Sequence, residues 1–279
     1  PTSLSVPRYE LDASFLVQVK QVGVEVLEQH KVTEFLFADG RVNGVSGLDE
    51  SKTSFTLKAP LVIDAGGRNA ISLRKMGLKN KPAGNIKIAM AAHWQGAQIA
   101  DDYCCMHVSH PGYTGISSVG RDRSNVVLVV NRQSMNGEKP DKFYLDAVMR
   151  NGHRRKILQD AECIESVRTI ESLAFTVKPV TCGGLLLVGD AMGFIDPFTG
   201  EGIYLSLRSS EIAVEVADKA FKKSDWSNDI LMNYEMRRKQ EFDKKFLLSR
   251  IFQKLIYNRF FCDWLVRALR RKPELAETL

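Results

Sequence analysis

A short stretch in the last third of the chain carries residue types that could hold a polar ligand. Residues 183–203 read GGLLLVGDAMGFIDPFTGEGI. The apolar run LLLV predicts a buried strand, and Asp190 follows it after one glycine. A carboxylate at a strand end can accept hydrogen bonds from the hydroxyls of a ligand. Gly200 and Gly202 then precede a helical pattern, so backbone N–H groups can come close to a ligand at a helix N-terminus, which favours an anion.

This stretch resembles the second flavin motif of the FAD-dependent oxidoreductases, a superfamily that includes aromatic hydroxylases, geranylgeranyl reductases and flavin-dependent halogenases. The resemblance implies that Asp190 binds the ribityl chain of FAD and that the next loop runs beside the pyrimidine edge of the flavin. Amides in that loop would face N1 and O2, where reduced flavin holds negative charge, and fixed donors stabilise such charge strongly. The cofactor-binding residues implied in this stretch are Gly189, Asp190, Pro197, Thr199, Gly200, Glu201, Gly202 and Ile203.

A second glycine-containing motif lies upstream. Residues 59–70 read APLVIDAGGRNA, an apolar strand that ends in Asp64 and is followed by Gly66, Gly67 and a basic residue. It is similar to the Asp-Gly motif of the same flavoproteins, which lies near the pyrophosphate of the cofactor. The resemblance therefore implies cofactor-binding roles for Asp64, Gly66 and Gly67.

Two further residues match the family less directly. Arg8 opens an "R…LD" pattern whose arginine contacts the flavin or its ribityl chain in the family, but an ion pair with Glu10 or Asp12 explains Arg8 equally well. Val32 stands where the family uses backbone groups to hold adenine, although a β-branched residue in a strand needs no such role.

The strands and helices around these loops place the chain in the α/β class, α+β overall. The resemblance implies an N-terminally truncated, FAD-binding Rossmann-like domain formed by residues 1–76 and 179–225. Successive apolar strands joined by short polar turns predict an inserted antiparallel β-sheet over residues 77–178, which the resemblance assigns to substrate binding. A C-terminal helical tail of basic amphipathic helices is predicted over residues 226–279.

Local patterns give the elements of the first region. Helical spacing of apolar residues predicts a helix over residues 8–22. Strands are predicted over residues 24–28, 31–37, 41–45 and 55–57, with a hairpin turn at Asp39-Gly40. A long helix is predicted from residue 201 to about residue 221.

Candidate pocket residues lie in the predicted antiparallel sheet. Histidine can act as a general acid or base, but a scattered histidine is more often structural. No metal-ligand spacing and no Gly-x-Ser-x-Gly elbow occurs in the sequence, so catalytic residues stay unassigned and no metal is predicted. The candidates are His93, Trp94, His107, His110 and Tyr113.

The first flavin motif of the family, a Gly-x-Gly-x-x-Gly turn, does not occur in this sequence. In relatives the ADP half of FAD binds to that first β-α-β unit. Two explanations are open: the sequence is a fragment of a longer protein, or it is a natural truncation that binds FAD poorly. The fragment is favoured because both remaining cofactor loops are intact.

The charge of the chain is concentrated near its end. The 279 residues carry a net charge of +6, and residues 237–272 hold twelve Lys and Arg against three acidic residues. Because the rest is balanced, no general nucleic-acid footprint remains. Basic amphipathic helices can lie on anionic membranes, but a solvated basic face on packed helices is favoured here.

The five cysteines include no CxxC pair, which favours reduced thiols in a cytoplasmic protein, with peripheral membrane contact as the alternative. No secretory signal pattern is visible, and no apolar run approaches the roughly 18 residues of a membrane span.

These patterns favour an FAD-dependent oxidoreductase reduced by NADH or NADPH. The resemblance implies either a reductase or a monooxygenase, with an isoprenoid or aromatic small molecule as substrate. A flavin-dependent halogenase is one alternative. The alternative of another class is a non-catalytic, flavin-less scaffold or membrane-surface protein.

Overall fold

A computed structural model describes residues 6–80, 86–100, 103–194, 198, 200–255 and 259–271. In chain order the helices are α1 Arg8–Gln21, α2 Ile71–Lys75, α3 Pro140–Arg150, α4 Gly152–Leu158, α5 Gly202–Lys223, α6 Asn228–Leu255 and α7 Arg259–Arg271. The strands are β1 Lys31–Ala38, β2 Arg41–Leu48, β3 Ser54–Lys58, β4 Val62–Asp64, β5 Lys87–Gln95, β6 Cys104–Ser109, β7 Gly112–Ser118, β8 Arg123–Asn131, β9 Glu162–Cys163, β10 Arg168–Leu173 and β11 Leu185–Leu187.

These elements fall into two compact units. The sheet unit takes its described residues from Pro1–Val26, Gly84–Leu173 and Lys254–Leu279. The parallel-pair unit takes its described residues from Leu27–Ala83 and Ala174–Gln253. Helix α1 therefore groups with the antiparallel sheet and not with the two glycine-rich loops.

The sheet unit is built on an antiparallel sheet with strand order β10-β5-β8-β7-β6, and β9 pairs with the end of β5. This confirms the antiparallel sheet predicted from successive apolar strands joined by short polar turns. One face of β5 packs on α3. There the Trp94 indole N–H donates to the Tyr144 hydroxyl at 2.9 Å, and that hydroxyl donates to the Val126 carbonyl at 2.9 Å. A buried polar pair that is fully hydrogen-bonded in this way fixes the packing of α3 on the sheet.

The parallel-pair unit contains two small sheets. Strands β1, β2 and β3 form an antiparallel meander, and β4 pairs with β11 in parallel. The hairpin between β1 and β2 turns at Asp39 and Gly40, as predicted, and both residues have positive φ. All three residues of β11 are buried, as the apolar run predicts. Around β11 the hydrophobic core gathers inward-facing residues of α5 and α6, among them Leu205, Ile212, Ala213, Val216, Tyr234 and Phe242.

The prediction of a strand over residues 24–28 is wrong. Those residues form no regular element between α1 and β1. Val24 and Leu27 are exposed, so the alternating apolar pattern has no sheet face to cover. A strand without a pairing partner is not stable in water, so the β propensity of this segment produces no strand.

Several helix details also differ from expectation. The apolar residues predicted to form one face of α1 are not buried, and Phe15 and Val19 are exposed. On α6, Phe242 is fully buried, whereas the apolar Leu247 is 59% exposed. The patterns predicted both helices, but helical spacing alone does not say which apolar residues find a neighbour.

Within the part of the chain that the structure describes, no helix is both long and apolar enough to cross a bilayer. The five cysteines are free thiols. Burial raises the pKa of Cys182, which lies in the parallel-pair unit, so its thiol form is favoured.

Candidate functional site

The two glycine-containing motifs meet at one edge of the parallel-pair unit. Because β4 and β11 run in parallel, with Leu187 opposite Asp64, their carboxyl ends lie side by side. The Val188 N–H also donates to the Asp64 carbonyl at 3.2 Å. In open α/β sheets, ligands bind outside the carboxyl ends of parallel strands. The structure thus brings Asp64, Gly66, Gly67, Gly189 and Asp190 to one place.

The Asp64 carboxylate shapes the loop that follows β4. It is buried, and its two oxygens accept hydrogen bonds from the Gly66 and Ser72 backbone N–H groups, each at 2.9 Å. A Cβ at Gly66 would lie 2.9 Å from the Asp64 Oδ1 atom, so a larger residue there would force the loop to shift. At Gly67, by contrast, φ is +64° and a Cβ would meet nothing within 4 Å. The backbone at Gly67 is therefore open to a ligand.

The Gly189-Asp190 turn is held from both neighbouring helices. Gly189 has a φ of +59°, and its N–H donates to the Ser209 Oγ atom of α5 at 2.9 Å. The Tyr234 hydroxyl of α6 donates to the Leu187 carbonyl at 2.5 Å. Burial raises the pKa of Tyr234 and keeps this donor protonated. These contacts fix the backbone from which the Asp190 side chain projects.

The first turn of α5 is open. Gly200 has a φ of +70°, and a Cβ at Gly200 or Gly202 would meet nothing within 4 Å. Ile203 is exposed. Since the first N–H groups of a helix have no partner within the helix, this end can donate hydrogen bonds to a ligand. The Glu201 carboxylate lies 3.8 Å from the Lys245 Nζ atom of α6.

Four predicted site residues stand apart from this arrangement. Pro197 and Thr199 lie outside the described residues. Arg8 belongs to the sheet unit and pairs with Asp12 at 3.1 Å on an exposed helix face, which is the ion-pair alternative. Val32 pairs with Gly47 in the meander and packs against the core. Flavin or adenine contacts of Arg8 and Val32 stay predictions.

The pocket candidates of the sheet unit have mixed environments. The His93 Nδ1 atom lies 2.8 Å from the Glu165 Oε1 atom, which also accepts the His93 backbone N–H at 3.1 Å. Trp94 and Tyr113 are buried, and Trp94 packs in the hydrophobic core of the sheet unit. Burial, with the nearby charges of Arg154 and His153, lowers the pKa of His107. His110 stays without a role. Among the described residues no group of His, Cys, Asp or Glu could hold a metal ion.

Sequence reasoning missed several residues that contact the motif. Ser209 and Tyr234 lie within helical patterns where only burial could be expected, and Tyr234 meets Leu187 across 47 positions. Arg68 was visible as the basic residue of its motif but carried no assignment. Its guanidinium lies 5.6 Å from the centre of the Phe194 ring, a contact that no local pattern signals.

Known proteins are similar to this chain in sequence. Digeranylgeranylglycerophospholipid reductase 2 of Methanothermobacter thermautotrophicus is 29% identical over 259 residues, covering 89% of this chain and 64% of that protein. Digeranylgeranylglycerophospholipid reductase of Methanocaldococcus jannaschii is 32% identical over 216 residues, which cover 75% of this chain and 54% of that protein. This chain therefore spans less than two thirds of the length of either relative.

Solved structures show the same fold. The flavin-dependent brominase Bmp2 superimposes with a TM-score of 0.85 at 18% identity, over 98% of this chain and 70% of that one. A geranylgeranyl bacteriochlorophyll reductase-like protein of Thermoplasma acidophilum gives a TM-score of 0.76 at 24% identity. The match covers 89% of this chain and 63% of that chain.

The family model described as "FAD binding domain" matches residues 1–241 of the 279. Because this match covers well over half of the sequence, the chain belongs to the FAD binding domain family, within the superfamily of FAD-dependent oxidoreductases.

Proposed function

We propose that this chain binds FAD along the carboxyl edge of β4 and β11, as part of an FAD-dependent reductase that acts on an isoprenoid substrate. The observation that carries the proposal is the meeting of two glycine-containing turns, one after Asp64 and one at Gly189-Asp190, at the shared edge of a parallel strand pair. The reductase names of the curated relatives support the isoprenoid class. NADH or NADPH is the proposed reductant.

The residues present fit such a cofactor. The Gly67, Gly200 and Gly202 backbones have open space where a side chain would otherwise stand, so N–H groups can approach the cofactor closely. The Asp190 carboxylate would accept hydrogen bonds from ribityl hydroxyls. The first turn of α5 would place N–H donors and helix-dipole charge at the electron-rich edge of the flavin. Bound flavin would supply the hydride chemistry, while these residues bind and orient it.

The test is made on the protein purified from its whole gene. We expect a yellow protein that oxidises NADH or NADPH when an isoprenoid acceptor is added. We also expect mass spectrometry to show that the product has gained a pair of hydrogen atoms for each reduced double bond. A product that gains oxygen identifies the monooxygenase alternative, and a halogenated aromatic product identifies the halogenase. A colourless protein that takes up no added FAD would contradict the proposal and favour a flavin-less scaffold.

A halogenase is the weaker candidate. The brominase match supports it only through the fold, because its identity is 18%. The curated reductases match with up to 32% identity. Aromatic substrates are accordingly tested as the second class after isoprenoids.

We also propose peripheral membrane contact through α7, which would suit an isoprenoid lipid substrate. Phe260 is 86% exposed and Trp264 is 62% exposed on this helix, and Arg267, Arg270 and Arg271 are exposed as well. Aromatic and basic side chains on one surface helix are typical of attraction to anionic lipid. We expect the protein to float with acidic liposomes at low salt, and a Trp264→Ser variant to float less. Absence of flotation at low salt would remove this proposal.

A further inference from the structure

A buried arginine of the sheet unit has no carboxylate partner among the residues that the structure describes. Arg154 of α4 is 1% exposed. Its Nε and Nη2 atoms donate to the Val148 and Ala147 carbonyls at 2.9 and 2.7 Å. Its Nη1 atom donates to the Ser109 Oγ atom at 2.7 Å. A full positive charge is therefore buried against neutral acceptors, which is unfavourable unless an opposite charge is near.

The charge of Arg154 is only partly balanced by its surroundings. The Ala147 and Val148 carbonyls belong to the last turn of α3, where the helix dipole contributes about half an elementary negative charge. Burial lowers the pKa of Arg154, and the charge of Arg150, at the end of α3, lowers it further. The full charge that acts on Arg154 here is thus of its own sign, and the arrangement favours a negative ligand.

Two unpaired polar atoms face the same region from the sheet. His107 on β6 and Thr114 on β7 are directly opposite each other in the antiparallel pair, so their side chains share one face, with Cβ atoms about 5 Å apart. Ser109, which accepts from Arg154, lies two residues after His107 and hence on that face. Thr114 is 0% exposed. Within the described ranges, neither its Oγ1 atom nor the His107 Nε2 atom has a hydrogen-bond partner.

These groups together offer donors without an acceptor. Burial lowers the pKa of His107, and the charges of Arg154 and His153 lower it further. The imidazole is therefore neutral near neutral pH and keeps one N–H to donate. The Thr114 hydroxyl is a second donor, and the Arg154 guanidinium carries more N–H groups than its three contacts use. Buried polar atoms without a partner are rare in folded proteins and call for a ligand or a water.

We propose that His107, Thr114 and Arg154 form a binding site for a small monovalent anion of the chloride class. The Arg154 guanidinium would supply the opposite charge, and the Thr114 hydroxyl and the His107 Nε2–H group would complete the set of donors. An anion only accepts hydrogen bonds, so it satisfies several donors at once. A water molecule would leave the buried charge unbalanced. The site lies in the sheet unit, takes part in no redox step and goes beyond the proposed function.

The first experiment compares sodium chloride with sodium gluconate at equal ionic strength, on the protein purified from its whole gene. Gluconate is the reference because it is too large for a site bounded by three side chains. We expect chloride to raise the unfolding temperature saturably, by about 3–6 °C at large excess. We also expect chlorine NMR to show line broadening that added bromide reverses. Equal unfolding temperatures in the two salts at every concentration would overturn the proposal.

Thr114→Val tests the site without removing its charge. Valine has nearly the size of threonine but no hydroxyl, so we expect chloride to bind about tenfold more weakly. In gluconate the variant is expected to be as stable as the parent, because only an unpaired hydroxyl is lost. Thr114→Ser keeps the hydroxyl and is expected to respond to chloride nearly as the parent does. Arg154 is left in place, because its loss would also unpair the carbonyls at the end of α3.

Ser117→Ala is the matched control. Ser117 lies on β7 three residues after Thr114, so its side chain is on the opposite face of the sheet. Its loss removes a hydroxyl from the same strand and should leave the chloride response unchanged. A Thr114→Val protein that responds to chloride as strongly as Ser117→Ala would also overturn the site. A response retained by Ser117→Ala and Thr114→Ser but lost in Thr114→Val supports it.

Discussion

Replacing Asp190 with alanine is expected to weaken FAD binding by about 10- to 100-fold. The substitution removes a carboxylate that would accept hydrogen bonds from the ribityl hydroxyls, and a hydrogen bond to a charged group contributes about 1.5–3 kcal/mol. The turn itself should survive, because the Gly189 N–H is held by Ser209 and the Leu187 carbonyl by Tyr234. Flavin fluorescence titration of purified variants measures the change.

The control for this prediction is Asp218→Ala on α5. Asp218 is exposed and pairs with Lys222, one helical turn away, at 2.7 Å, so its loss should leave FAD affinity unchanged. Asp190→Asn keeps the size but not the charge and is expected to fall between the parent and Asp190→Ala. An Asp190→Ala protein that is folded by circular dichroism and retains full FAD affinity would refute the assigned role.

The second large effect concerns Gly184, just before β11. Alanine at this position is expected to lower the free energy of unfolding by about 4 kcal/mol or more. The added Cβ would lie 1.9 Å from the Val42 carbonyl oxygen, and φ is already +73°. Relief by movement is difficult, because the Gly184 N–H donates to the Trp226 carbonyl and the Gly184 carbonyl accepts the Val62 N–H, both at 2.9 Å.

Gly40→Ala is the matched control for Gly184→Ala. Gly40 has the same φ of +73°, but a Cβ there would meet nothing within 4 Å. The Gly40→Ala substitution should therefore lower the free energy of unfolding only by the left-handed backbone strain of about 1–2 kcal/mol. Urea unfolding of both variants separates the cost of the backbone strain from the cost of the steric overlap with Val42. Equal destabilisation by both substitutions would show that the steric overlap with Val42 is absent in solution.

Much of the fold could be predicted because its signals are local. The apolar run of β11, the Asp39-Gly40 hairpin and the alternating strands of the sheet each need only their own neighbours in sequence. The elements that the sequence predicted wrongly, or did not predict, depend on pairing with residues far away in the chain. Residues 24–28 have strand propensity but no strand to pair with, and β10, which was not predicted, forms because β5 offers an edge to residues that are largely polar.

The candidate site divides in the same way. Its glycines and carboxylates, from Asp64 to Asp190, stand out in sequence because few residue types suit such turns. The contacts that support them could not be foreseen. Lys79 reaches the Phe175 ring, and Tyr234 reaches the Leu187 carbonyl, across 96 and 47 positions of the chain. Such pairs depend on tertiary packing, and neither shows periodicity or a motif.

The most direct test of the flavin assignment is an amide NMR titration of the isotope-labelled protein with FAD. We predict that the Gly200 and Gly202 N–H signals at the start of α5 shift saturably, with the same midpoint as the flavin fluorescence change. Saturable FAD binding that leaves both glycine signals unmoved would contradict the account.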